Sequence, residues 1–139
     1  MGLNGVDFIL RDSEWLVLEV NPRPTATVEL YDPDYGSGLF DAHLRASAGD
    51  LLQVAAPPGT ARAMAVVFAA AGGTLPGEFG FSPWCRDLPV PGTGFAAGDP
   101  VCTVHADAPD ASGAMALVRA RQASLEQTLL LTTAGSGGS

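Results

Sequence analysis

The residues best equipped for chemistry lie close together near the amino end: Asp7, Glu19, Asn21 and Arg23. Two carboxylates and an amide oxygen are hard donors. Mg²⁺ prefers such a set, usually one or two carboxylates completed by phosphate oxygens. Arg23 adds a planar fork of N–H donors that matches phosphate or carboxylate. Pro22 and Pro24 restrict the backbone on either side, so fewer orientations of the arginine must be frozen out. The inventory suits a divalent cation and a phosphate. A plainer reading stands beside it: acidic side chains on a hairpin commonly form a solvated face, and Asn-Pro commonly opens a turn.

Two short runs must position these groups, Gly5-Val6-Asp7-Phe8-Ile9-Leu10 and Trp15-Leu16-Val17-Leu18-Glu19-Val20-Asn21. Both read as strands, in which alternate residues share a face. Val6, Phe8 and Leu10 point one way, and Asp7 and Ile9 the other. In the second run Leu16, Leu18 and Val20 share a face, opposite Val17, Glu19 and Asn21. The pairing that unites Val6, Phe8, Leu10, Leu16, Leu18 and Val20 also puts Asp7 and Glu19 on one side. It requires an odd-numbered loop such as Asp12-Ser13-Glu14, or a compensating bulge. A one-residue slip would bury a carboxylate among aliphatic side chains at several kcal/mol. Burial is therefore expected to select the register.

The string Leu-Glu-Val-Asn-Pro-Arg-Pro-Thr-Ala-Thr at residues 18 to 27, preceded by Gly2-Leu3-Asn4-Gly5-Val6-Asp7-Phe8, resembles the end of the nucleotide site in the ATP-grasp superfamily. That superfamily includes biotin carboxylase and D-alanine–D-alanine ligase. In it, an acidic residue on one strand and a Glu-x-Asn on the next hold Mg²⁺ against the ATP phosphates. The resemblance implies that Asp7, Glu19 and Asn21 are metal ligands and that Asn21 and Arg23 contact the Mg-ATP cofactor. Arg23 matches the arginine that follows Asn in the carboxylase branch, which implies a catalytic role near the acyl phosphate. A second set is similar to the tail of a branch described as predicted ATP-dependent carboligases. It comprises Trp84-Cys85-Arg86-Asp87-Leu88-Pro89, Pro91-Gly92-Thr93 and residues 98–106. Some members of that branch occur beside one-carbon and tetrahydromethanopterin genes.

The implied activity is that of an ATP-dependent carboxylate–amine ligase or carboligase acting through an acyl phosphate, on small-molecule carboxylate and amine substrates, with ATP and Mg²⁺. The seven basic residues are all arginine, and there is no lysine. The lysines and glycine-rich loop with which the superfamily clamps ATP are therefore not supplied here. The chain is expected to be a C-terminal portion, completed by an N-terminal region or a second polypeptide and inactive alone. The alternative is a non-catalytic interaction or scaffold module that docks on a partner. A homo-oligomer formed through the hairpin's open edges is a further expectation.

The resemblance and the pattern of elements together give an α+β class: an antiparallel hairpin with flanking helices, a small β-rich subdomain and a terminal helix. The expected divisions are residues 1–50, 51–131 and a flexible tail at 132–139. The net charge of −8 disfavours nucleic acid, whose phosphates demand a basic surface. No apolar run reaches the roughly 18 residues of a membrane span; residues 51–71 come nearest, interrupted by Gln53, Pro57-Pro58-Gly59 and Arg62. Met1-Gly2 opens like a myristoylation site, but Val6 stands where Ser or Thr is needed. A cytoplasmic location is expected, where the two cysteines need form no disulfide.

Residues 25–48 read as two helical pieces broken at Asp32-Pro33-Asp34-Tyr35-Gly36, with Thr25 or Thr27 capping the first and Gly49 stopping the second. His43 falls on the apolar side of the second, as a ligand or, preferably, as a core histidine with one hydrogen-bond partner. Residues 51–55, 61–70 and 101–106 read as strands between Gly/Pro turns, in a small antiparallel sheet. The resemblance implies that this sheet covers one edge of the nucleotide site. Cys102 and His105 have a zinc-like gap, yet fall on opposite faces of a regular strand, which argues against zinc and against a Cys–His nucleophile. Phe81 and Trp84 are read as packing residues. Asp110 should cap a last helix whose apolar side is Met115, Val118, Ala123, Leu125 and Leu129, with Glu126 pairing to Arg119 or Arg121.

Overall fold

The computed structural model describes residues 2–50 and 59–135, with side chains as far as residue 130. The expected strand at 51–55 and the Pro57-Pro58 half of its turn lie outside the described residues. The fold is α+β, and every strand pairing is antiparallel. The chain divides into two compact units, Met1–Pro58 and Gly59–Ser139.

In the first unit, β1 (Gly5–Arg11) and β2 (Glu14–Asn21) form the hairpin. The connection is the two-residue turn Asp12-Ser13, both with positive φ (47° and 70°). Such a left-handed pair twists the chain in the sense that two paired strands require. An odd loop is therefore not used, and the alternative route is taken. The register shifts between Asp7 and Phe8, because Phe8 pairs with Val17 while Asp7 pairs with Glu19. Leu18 is the extra residue of a β-bulge.

The bulge corrects the expected apolar face. Leu10 opposes Trp15, Phe8 opposes Val17 and Val6 opposes Val20, so Trp15 and Val17 take the places expected of Leu16 and Leu18. The rings of Phe8 and Trp15 meet at 4.4 Å between centroids. Leu16 instead opposes Ile9, on the side of Asp7. Burial is not what fixes this register, since every hairpin residue from Val6 to Val20 is exposed. Turn chemistry and the bulge fix it.

A 3₁₀ helix (Ala26–Asp34) follows, then α1 (Leu39–Ser47). Thr25 occupies the cap position of the first without a side-chain cap bond. The cap of α1 comes from further back: Asp32 Oδ1 accepts the Leu39 N–H at 2.8 Å, satisfying one of the orphan donors of the first turn. Gly49 ends α1 in the left-handed conformation (φ 97°), and the Asp50 N–H returns to the Arg45 carbonyl at 3.0 Å. His43 Nδ1 accepts the Leu3 N–H at 3.0 Å, which ties the amino-terminal segment to α1.

In the second unit β7 (Pro100–Ala108) is the central strand of a three-stranded sheet, flanked by β3 (Ala61–Phe68) and β5 (Cys85–Arg86). β4 (Gly73–Thr74) and β6 (Gly94–Phe95) form a separate two-residue ladder. Pro100 opens β7, where the missing N–H is tolerated. α2 (Ala111–Gly135) packs on β3 and β7 and continues into the segment expected as a tail. Asp110 caps it as expected, its Oδ1 accepting the Gly113 N–H at 2.7 Å.

Ala114, Val118 and Leu125 share one side of α2 and are buried with Val67, Cys85, Cys102, Val104 and Ala106. Val67, Val104 and Val118 are enclosed completely, each contributing roughly 1.5–3 kcal/mol through burial. Met115 is exposed rather than on the core side. Glu126 accepts from Gln122 Nε2 at 3.1 Å in place of the expected arginine. Arg121 instead donates to the His105 carbonyl and lies 5.3 Å from the Trp84 ring centre. Phe81 and Trp84 pack against this core. No helix among the described residues is long and apolar enough to cross a membrane.

Candidate metal and phosphate site

Asp7 sits mid-strand in β1, directly opposite Glu19 in β2. Gly5 opposes Asn21 two residues along, so Asp7, Glu19 and Asn21 share one hairpin face. The bulge decides this. Counting back along β2 from the turn without an extra residue at position 18 would carry Glu19 onto the face of Trp15 and Val17. Asn21 Nδ2 reaches Asp7 Oδ2 at 3.3 Å, a long bond that shows the amide and carboxylate converging.

Opposed side chains in an antiparallel pair have Cβ atoms about 4.5–5.5 Å apart, and like charges there repel. In water the repulsion is only about 1 kcal/mol at that range. The exposed pair is therefore tolerated by the fold, and a divalent cation between the carboxylates would reverse the sign of the interaction. The donor set fits Mg²⁺: two carboxylates, plus an amide whose oxygen replaces its nitrogen on a half-turn of the last torsion. All three donors are hard oxygens, and the open face leaves room for waters and phosphate. Among the described residues no cluster of three or more His, Cys, Asp or Glu side chains that could hold a metal ion is assembled, so a cation held here would need the Asn21 amide as its third protein donor.

Arg23 follows directly. Its N–H bonds the Asn21 carbonyl at 2.8 Å, a tight reversal at Pro22 that turns the chain back toward β1. The side chain is exposed and forms no ion pair among the described residues, which leaves its N–H fork to an anion. The turn relies on Gly5. A Cβ there would stand 2.6 Å from Thr25 Cγ2 and 3.9 Å from the Arg23 carbonyl oxygen.

Gly5 and Leu18 are the two residues that sequence reasoning did not place in the site. Neither bears a functional group. The available signals were a glycine at the first position of a strand and a strand one residue longer than its partner.

The second unit offers little reactive chemistry. Cys85 and Cys102 are buried free thiols. Burial pushes the Cys102 thiol up to about 12, with the neighbouring Cys85 and Asp87 adding to the effect. Burial likewise raises Cys85. Thiols held protonated are poor nucleophiles and poor metal ligands.

Residues 1–27 match the family model of an ATP-grasp domain. The matched segment contains β1, β2, Asp7, Glu19, Asn21 and Arg23. The match is confined to the hairpin and the turn that follows it, and the rest of the chain lies outside it. That family generally binds ATP with Mg²⁺. No curated protein and no solved structure matches the chain.

Proposed function

We propose that this chain contributes the Mg-ATP phosphate ligands of an ATP-dependent carboxylate–amine ligase or carboligase of the carboligase branch, working in the cytoplasm. The observation that carries the reading is the convergence of Asp7, Glu19 and Asn21 on one face of the hairpin, within the segment that matches an ATP-grasp domain. Asp7, Glu19 and the Asn21 oxygen would hold Mg²⁺, which offsets charge on the phosphates during transfer.

In this reaction a substrate carboxylate oxygen attacks the terminal phosphorus of ATP and the bond to the bridging oxygen breaks, giving an acyl phosphate and ADP. An amine then attacks the acyl carbon, loses its proton and expels inorganic phosphate. Arg23 would orient the transferred phosphoryl group and carry part of its negative charge through paired N–H donors. With no lysine in the sequence, the remaining phosphate-binding cations would come from outside these 139 residues, in an N-terminal region or a second polypeptide.

A non-catalytic docking role is the second reading, favoured by the exposed apolar residues of the hairpin. Paramagnetic Mn²⁺, added to the labelled chain and followed by amide NMR, separates the two even at weak affinity. Selective broadening at Asp7, Glu19 and Asn21, lost in Glu19→Gln, is the expected result. Broadening confined to other acidic residues such as Asp12 and Glu14, or unchanged by Glu19→Gln, would overturn the metal assignment.

A further inference from the structure

The second unit encloses a cavity at the end of its sheet. β3 accompanies β7 as far as Phe68, where the register shifts, while α2 continues to Gly135. Gln122 Nε2 donates to the Val66 carbonyl at 3.2 Å, which fixes the height of the helix against the strand. Glu126 comes one helical turn later, about 5.4 Å along the axis, and so reaches the level of the strand's end. Phe68, Leu75, Phe95, Val101 and Leu129 line the space together with Glu126. Its volume is about 430 Å³, part of it open to solvent. Both size and lining suit a small molecule: apolar walls, with few polar groups to orient what enters. Among the described residues that line the cavity, Glu126 alone is charged. We propose that this cavity binds a small primary amine with an apolar body, held as its ammonium form by Glu126.

Three features select that chemistry. The first is a positioned carboxylate. Glu126 Oε1 accepts an N–H from Gln122 at 3.1 Å, and the same amide nitrogen is anchored on Val66. Both N–H donors of Gln122 are thereby used, and Oε2 of Glu126 is left for another donor.

The second is charge. No arginine pairs with Glu126 among the described residues. Segments 51–58 and 131–139 contain no arginine, and the chain has no lysine, so neither segment can neutralise the carboxylate. A carboxylate beside apolar walls attracts a cation more strongly than one in open water, because its field is less screened.

The third is the pair of aromatic walls. The face of a phenyl ring is negative and attracts an ammonium group, and Phe68 and Phe95 both border the space. The aliphatic walls accept the apolar body. A carboxylate or phosphate ligand would meet Glu126 with like charge, and a hydrocarbon would leave it unpaired. The cavity lies wholly in the second unit and outside the segment that matches an ATP-grasp domain. The inference is therefore independent of the metal assignment.

Benzylamine, protonated at neutral pH, is the probe, with benzyl alcohol and benzoate as controls of similar size. Each is titrated into the labelled full chain and followed by amide NMR to about 10 mM, a range set by the affinity of fragments this small. The expected result is saturable shifts at residues 68–76, 95, 101 and 126–130, with the amine at least tenfold tighter than the alcohol and no binding of benzoate. Nuclear Overhauser contacts from the ring protons to the Leu75 and Leu129 methyls should place the ring in the cavity. Glu126→Gln keeps the acceptor for Gln122 and should bring amine and alcohol to equal affinity. No saturable binding of benzylamine would overturn the inference. Equal affinity for amine and alcohol in the wild-type chain would overturn it too, as would shifts centred on exposed acids such as Glu78 and Asp110. An amine preference that survives Glu126→Gln would also overturn it.

Discussion

Asp7 and Glu19 oppose each other across the hairpin only because Leu18 is an extra residue in β2. The bulge moves one carboxylate from the apolar face to the polar one, so the placing of an aliphatic residue with no chemistry of its own determines whether the two carboxylates face one another. Deletion of Leu18 should remove the bulge and leave Glu19 opposite Asp7 in a regular ladder, because Glu19 then follows Val17 directly. The expected outcome is Mn²⁺-induced broadening retained at residues 7, 19 and 21, whereas Glu19→Gln loses it. Cross-strand contacts of Leu10 with Trp15, observed by NMR, should persist. Loss of broadening in the deletion variant would show that Leu18 does more than set the register.

Ser13 occupies the left-handed region at φ 70° beside Asp12 at φ 47°. Asp tolerates this better than Ser, and glycine tolerates it without steric penalty. Ser13→Gly should therefore stabilise the hairpin by about 0.5–1 kcal/mol. Slower amide exchange along β1 and β2 would register the gain.

His43 takes the Leu3 N–H on Nδ1, so the amino-terminal segment is held to α1 by a neutral-imidazole acceptor. His43→Phe keeps the ring's bulk and removes the acceptor. It should cost about 1 kcal/mol and speed hydrogen exchange at the Leu3 amide more than at amides elsewhere in α1.

Burial in the second unit raises the Cys102 thiol to about 12, against about 8.5 for an unfolded thiol. Above the unfolded value the unfolded chain releases a proton that the folded one retains. The stabilising contribution is thus fully present below about pH 8.5 and is lost as pH rises toward 12. Urea unfolding of this unit at pH 8, 9, 10 and 11 should show a falling midpoint. Cys102→Ala should flatten that fall in part, because Cys85 is raised as well.

The last helix was legible because its signals are local. Asp110 caps it, its Oδ1 accepting the N–H of Gly113 three residues on, and Val118 and Leu125 repeat at the helical period on the buried side. Met115 fits the same helical pattern yet stays exposed, while its neighbour Ala114 is buried with Val118 and Leu125. Proximity in sequence pairs Glu126 with an arginine. Gln122, one turn earlier on the same face, reaches it instead, while Arg121 is drawn to the Trp84 ring and the His105 carbonyl. Such choices among neighbours depend on packing that a one-dimensional pattern does not contain.

By itself the sequence determined the donor types, the two strands that carry them and the absence of lysine among its cations, because side-chain chemistry and period-two alternation are local properties. Which residues share a face was decided only in three dimensions. A two-residue turn starts the pairing in one parity, and a bulge inserted at Leu18 reverses it before Glu19. A single unpaired residue changes every facing relationship beyond it, and its place is chosen by how two strands fit rather than by either strand alone.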